Sequence, residues 1–173
     1  MAVRAVFVVF LTALTWGMSS GTARAGGDKS QDASRGADDL DGVYLMLGPV
    51  GGLSYRDRAS QSIFGGQVLA LRLRERASLT SLGVALQGVR YSGAERGRVS
   101  LDAIVGTRLW GIDFGVAAGP VAEVDRVVPP RWGAQATLWV FAGIVPYVRV
   151  GRLQGDETFL ELGAQLMLPA WRL

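Results

Sequence analysis

Histidine and cysteine are both missing from these 173 residues. Without histidine the commonest general acid–base residue is gone, and with cysteine also absent two of the main transition-metal ligands are lost. Neither a Ser-His-Asp nor a Cys-His nucleophilic site can be built. No disulfide can form, and no lipid can be attached at a cysteine. Lysine occurs only at Lys29, and every other basic residue is arginine. After Gly42 no uniformly apolar stretch reaches the ~20 residues that a membrane-spanning helix needs. No glycine motif of the phosphate-binding kind is present. The chain therefore carries no cofactor or metal signature, and it is not expected to be an enzyme. The carboxylates at 113, 123, 125 and 161 are better explained as partners for arginine than as an acid pair. Asp38, Asp39 and Asp41 lack the spacing of a calcium loop.

The N-terminus reads as a secretory signal, residues 1–25. Arg4 supplies a positive start, Ala5 to Trp16 an apolar run, and Ala23-Arg24-Ala25 a small-x-small cleavage site. The formal charge of +3 falls to about +1 once Arg4 and Arg24 leave with the signal, so the high isoelectric point does not argue for nucleic acid. Residues 26–41 are polar and acidic with almost nothing to bury, and read as a disordered tail. Residues 42–173 read as one folded unit.

In that unit glycine is scattered through the apolar segments, 24 in the whole chain, which disfavours helices. Alternation of apolar with small or polar residues fits instead. It predicts about eight strands near 43–54, 63–75, 79–91, 98–110, 111–124, 132–142, 145–153 and 157–168. Each is long enough to cross a bilayer as a tilted strand of about 9–11 residues. The links between them alternate in length. Those at 55–62, 92–97, 125–131 and 154–156 are the longer set, and those at 76–78, 110–111 and 143–144 are tight.

A soluble barrel fills its interior with large apolar groups, and a small membrane barrel turns them outward. The bulkier apolar face takes in Leu69, Leu71 and Leu73; Leu82, Val84 and Leu86; Ile112, Phe114 and Val116; and Leu160, Leu162, Leu166 and Leu168. The opposite face carries Arg72, Arg74, Asp102, Arg108, Asp113, Arg149 and Glu161 among glycine, alanine and glutamine. Charges in a narrow lumen must be paired or wet. A tight turn at Trp110-Gly111 sets Arg108 opposite Asp113 and Arg98 opposite Glu123, and a turn near Gly155 sets Arg149 opposite Glu161. Aromatics gather at both strand ends. Tyr55, Phe64, Tyr91, Trp132 and Phe159 stand at the long-link end. Trp110, Trp139, Phe141, Tyr147 and Trp171 stand at the other, as two membrane girdles would. Trp139 and Phe141 share the parity of Gln135 and Thr137, which turns them inward unless the strand is bulged.

The segment Glu161-Leu162-Gly163-Ala164-Gln165-Leu166-Met167-Leu168 carries a polar residue, glycine and two apolar residues at the spacing Glu161, Gly163, Leu166, Leu168. In this and in architecture, over about residues 42–173, the chain resembles the small eight-stranded outer-membrane barrels of the OmpA and OmpX type. The resemblance implies a closed antiparallel up-and-down transmembrane β-barrel in a Gram-negative outer membrane, reached by Sec export. It also implies that the barrel-assembly machinery reads the last strand. The chain departs from the family by continuing past that strand with Pro169-Ala170-Trp171-Arg172-Leu173. Either the strand runs on with a bulge at Pro169 or the signal is offset. Pro49, Pro120 and Pro146 fall in or beside strands, where each removes a ladder donor.

The expected role is structural or surface-interacting, in contact with outer-membrane lipid. Arg56, Arg58, Arg96, Arg126 and Arg131 in the longer links are placed to meet lipopolysaccharide, and paired charges plug the lumen. One alternative is a soluble lipocalin-like barrel for an apolar ligand, which would point Leu69, Leu71 and Leu73 inward and Arg72 and Arg74 outward. Another is a narrow ion pore.

Overall fold

The computed structural model describes residues 41–74, 79–109, 112–126, 128–141 and 143–173. The signal segment, the polar tail up to residue 40, the link at 76–78 and the Trp110-Gly111 turn lie outside them.

The described chain is all strand and turn. In order the strands are β1 (Gly42–Arg56), β2 (Ala59–Leu73), β3 (Ser81–Tyr91), β4 (Arg96–Leu109), β5 (Ile112–Asp125), β6 (Arg131–Phe141), β7 (Val145–Leu153), β8 (Thr158–Gln165) and β9 (Leu168–Arg172). Each pairs antiparallel with its sequence neighbour from β1 to β8, and β8 and β9 both pair with β1. The β1–β2 ladder completes the ring, so the sheet is a closed eight-stranded up-and-down barrel with no free edge.

The last stave is interrupted at Leu166–Met167. Across the break the Leu166 N–H donates to the Pro49 carbonyl at 3.1 Å, and the β1 register shifts between Leu45 and Met46. Register is kept across the break, with Val50 opposite Gln165 and Leu47 opposite Leu168, so the strand runs on through Pro169. The bulge is at Ala170, directly after the proline, where Met46 pairs with Pro169 and Leu45 with Trp171. Pro49, Pro120 and Pro146 all sit on outward, exposed positions. The ladders through Pro49 to β2 and Pro146 to β8 are continuous, whereas the β4–β5 ladder is interrupted at Gly119-Pro120.

The link expected at 55–62 is much shorter. Arg56 pairs with Ala59, and only Asp57 and Arg58 turn, both with positive φ (48° and 66°). That is a two-residue turn whose twist matches the flanking strands. The polar run Ala59-Ser60-Gln61-Ser62 looks like a loop, yet it pairs residue for residue with β1. At the opposite end the Arg74 N–H donates to the Thr80 carbonyl at 2.8 Å, so the β2–β3 pairing continues beyond Leu73 and Ser81. Link lengths therefore do not alternate cleanly around this barrel.

Along β3, β5, β7 and β8 burial alternates with a period of two. Leu82, Leu86, Ile112, Val116, Leu138, Val148, Val150, Leu160, Leu162 and Leu168 point outward, as do Phe64, Trp132 and Tyr55 near one rim and Trp171 near the other. Tyr91, Phe159, Trp139 and Tyr147 turn into the lumen. Their bulk is accommodated by glycine on the facing strand. In the ladders Trp139 stands opposite Gly115, Tyr147 opposite Gly163 and Phe159 opposite Gly151. A Cβ on any of those three glycines would run into the aromatic ring beside it. Glycine is thus used in the lumen for space, which explains why it is frequent on strands that it would otherwise weaken.

Candidate functional site

The lumen is the only place where the fold gathers chemically active side chains in number among the described residues, and it divides along the barrel. Toward the end with the Asp57-Arg58 turn it is ionic. Glu123 is buried between three guanidinium groups, with Arg56 at 3.1 Å, Arg96 at 3.8 Å and Arg131 in direct contact. Glu157 receives Arg56 at 3.4 Å and Arg131 on its other oxygen. Deeper in, Glu161 lies between Arg98 at 2.5 Å and Arg149 at 3.3 Å. The Arg98 contact is an ion pair rather than an aligned hydrogen bond. Arg149 also donates to Thr137 Oγ1 at 2.8 Å, and Arg98 to Tyr91 Oη at 3.2 Å.

Aromatic faces hold these cations from the side. The Arg96 guanidinium lies 4.4 Å from the Tyr91 ring centre, Arg98 4.5 Å from Phe159, and Arg149 4.9 Å from Tyr147. Arginine suits this work because its planar fork can stack and form ion pairs at once. Halfway along the lumen comes a layer of uncharged polar groups around the Asp102 carboxylate. Asp102 accepts from Gln135 Nε2 at 2.8 Å and from Ser100 at 3.4 Å, with Gln67, Gln87 and Thr137 also buried.

Beyond that layer the lumen becomes apolar. Leu69 (1 % exposed) and Leu71 (6 % exposed) point inward with Ile104 and Trp139, and Met46, Leu73 and Met167 pack against them. Arg72 and Arg74 are exposed on the other face of β2. This corrects the expectation that placed both arginines in the lumen and the three leucines on the outside. The physical reason is parity. Ile63 and Gln67 point in and Phe64 and Val68 point out, and the unbroken β2–β3 ladder carries that alternation down the strand. Size is a poor guide here because this end of the lumen is itself lined with large aliphatic groups.

The other sequence-derived site residues fall in three places. Asp102, Arg149 and Glu161 lie in the lumen. Arg108 and Asp113 face each other at the far rim as a two-pronged pair, with both contacts at 2.9 Å and both side chains partly exposed. Along the last stave, Leu166 and Leu168 point outward and Gly163 lies under the Tyr147 ring. Arg98 stands opposite Glu123 in the β4–β5 ladder but reaches instead to Glu161 on β8. Arg56, Arg96 and Arg131, read from sequence as loop cations, sit on strand ends and reach Glu123. Of the arginines expected to face outward from loops, Arg58 and Arg126 remain exposed, with Arg126 paired to Glu95 at 3.1 Å. The signal that would have found the missing members is strand length. β1 and β6 run far enough for Arg56 and Arg131 to share the inward parity of Ser54 and Gln135.

Among the described residues no group of three or more carboxylates is placed to hold a metal ion.

No protein-family model and no curated protein sequence matches the chain. Solved structures do. The crystal structure of Neisserial surface protein A (NspA) superposes with a TM-score of 0.50 at 11% identity, covering 73% of this chain and 96% of that one. The designed transmembrane barrel TMB2.3 gives 0.48 at 12% identity, covering 75% and 98%, and a second designed transmembrane barrel gives 0.43 at 15%, covering 71% and 95%. The likeness to NspA is one of fold: a small, closed, antiparallel eight-stranded barrel.

Proposed function

We propose that this chain is an integral outer-membrane β-barrel protein, anchored by its outward aliphatic band and plugged by the paired charges of its lumen. Its role is structural or surface-interacting. The observation that carries this reading is the band itself. Leu82, Leu86, Val116, Leu138, Val148, Val150, Leu160 and Leu162 stand exposed on strands all around a barrel whose interior holds the ions. In water such a belt far exceeds the apolar patch of a few hundred Å² that a soluble monomer tolerates. In lipid it is the favourable surface, and closure leaves no backbone group unsatisfied. Phe64, Tyr55 and Trp132 at one rim and Trp171 at the other match interfacial aromatics. NspA, which shares the fold, is named a surface protein, and an outer-membrane location for this chain accords with that.

The ionic half supports a plug rather than a pore. Arg98, Arg149, Glu123 and Glu161 are almost wholly buried and paired across the lumen. Exposed Arg58 and Arg126 at that end are candidates for contact with lipopolysaccharide phosphates. Export by the Sec pathway and insertion by the barrel-assembly machinery complete the reading, and no catalytic role is assigned.

The inward turn of Leu69, Leu71 and Leu73 meets the condition set for a ligand-binding barrel, but only at one end. The aliphatic band on the outside of the remaining strands favours lipid.

Fractionation and gel migration test the assignment together. The protein should stay with the outer membrane until detergent is added, and its folded band should shift only on boiling. Release by osmotic shock alone would remove the membrane reading. In planar bilayers the plugged barrel should give no steady conductance.

A further inference from the structure

The apolar end of the lumen is not filled. A cavity of about 290 Å³ lies there, walled by Met46, Leu69, Leu71, Ile104, Trp139 and Met167. Its exposed lining residues, Arg74, Arg108, Phe141 and Pro169, stand at the far ends of the strands or just past them, so its mouth is at that rim. By comparison, a cavity of ~150 Å³ admits benzene, so this one has room for roughly a dozen heavy atoms.

Two polar groups converge in its wall. Ser81, Gly106, Gly115 and Trp139 stand in one cross-strand row from β3 to β6. A side chain on Gly106 would meet both the Ser81 hydroxyl and the Trp139 ring, so these two groups lie together over that glycine. Ser81 is 5% exposed and Trp139 7%, yet among the described residues neither Ser81 Oγ nor Trp139 Nε1 has a hydrogen-bond partner. An indole N–H can only donate, and a buried donor left alone is unfavourable by about 1–3 kcal/mol. The pair is therefore matched to an acceptor brought from outside. At the mouth, Arg108 is paired with Asp113.

We infer that this cavity binds a single-chain carboxylate of medium length, a free fatty acid. Its head would accept from Trp139 Nε1 and Ser81 Oγ, and its tail would lie against Leu69, Leu71 and Ile104. The volume decides between a free acid and a membrane phospholipid, since it takes one short chain and not two long ones. The inference depends on the barrel and its cavity, and holds whether or not the outside of the barrel faces lipid.

The test uses the full folded chain in phospholipid nanodiscs and octanoate labelled with carbon-13 at the carboxyl. Protein-free nanodiscs give the background of simple partitioning. A saturable carboxyl signal at one site per barrel is expected. Trp139→Phe should weaken it about tenfold or more, as loss of a hydrogen bond to a charged group does. Ser81→Ala should weaken it about threefold, as loss of a neutral hydrogen bond does, and octane should compete poorly. Unchanged migration before boiling would show that each variant is folded. Signal no greater than in empty nanodiscs, or wild-type affinity in Trp139→Phe and Ser81→Ala, would overturn the inference. So would a stoichiometric two-chain phospholipid that octanoate cannot displace. Loss of octanoate binding with intact membrane insertion would leave the anchoring role standing, so the two readings fail separately.

Discussion

The two ends of the lumen solve the same problem with opposite chemistry. At one end Glu123, Glu157 and Glu161 are tied to Arg56, Arg96, Arg98, Arg131 and Arg149, and aromatic rings press on the guanidinium groups. At the other end Leu69, Leu71, Ile104 and Trp139 surround unfilled space. Ionic packing is unforgiving, because each buried charge needs its partner. Aliphatic packing is tolerant, because a missing methyl leaves only a larger hole. The account thus predicts a barrel that is rigid and intolerant of change at the ionic end and adaptable at the apolar end.

The largest effect should come from breaking the ionic end at its most buried point. Glu161→Ala leaves Arg98 and Arg149 without a counter-charge, and stability in urea should fall by about 3–5 kcal/mol. Replacing all three together by apolar residues should recover much of that loss, since the desolvation of the charges disappears with them. A triple variant as weak as Glu161→Ala would show that packing, rather than pairing, dominates there.

Gly163→Ala sharpens the contrast through size alone. The new methyl meets the Gly51 carbonyl oxygen at 2.5 Å and the Tyr147 ring and hydroxyl at 2.6 Å, and overpacking of this kind costs about 1–3 kcal/mol. Leu73→Phe at the apolar end adds more atoms but points them at the cavity, so its cost should stay below about 1 kcal/mol. Equal costs for the two substitutions would erase the distinction between the halves. The smallest effect belongs to Arg108→Gln. Its pair with Asp113 is partly in water, and pairs of that kind are worth about 0–1 kcal/mol. Unfolding midpoints measured on the same lipid vesicles would rank all four.

What could be read from the sequence follows the same division. Strand number and approximate ends were legible because alternation is a local property, visible in segments such as Val145–Leu153. The facing of β2 was not. Leu69, Leu71 and Leu73 look like a lipid stripe in isolation, and only closure of the ring reveals that one end of the lumen is apolar. The ion pairs were legible only where partners are ladder neighbours. Arg149 and Glu161 face each other across β7 and β8, whereas Arg98 crosses the lumen to find Glu161. A long side chain spanning a closed barrel leaves no trace in sequence spacing. The Asp57-Arg58 turn was hidden for a related reason, since both residues take positive φ without glycine.

The central claim is the direction in which the strands face. The chain has no native cysteine, so single spin labels can be placed cleanly. Labels replacing outward Leu86, Val148 and Leu162 should be open to oxygen dissolved in the bilayer and closed to a water-soluble nickel chelate. Labels replacing inward Gln87 and Thr137 should be immobile and closed to both. Nickel access along the whole outward set in reconstituted membranes would contradict the account.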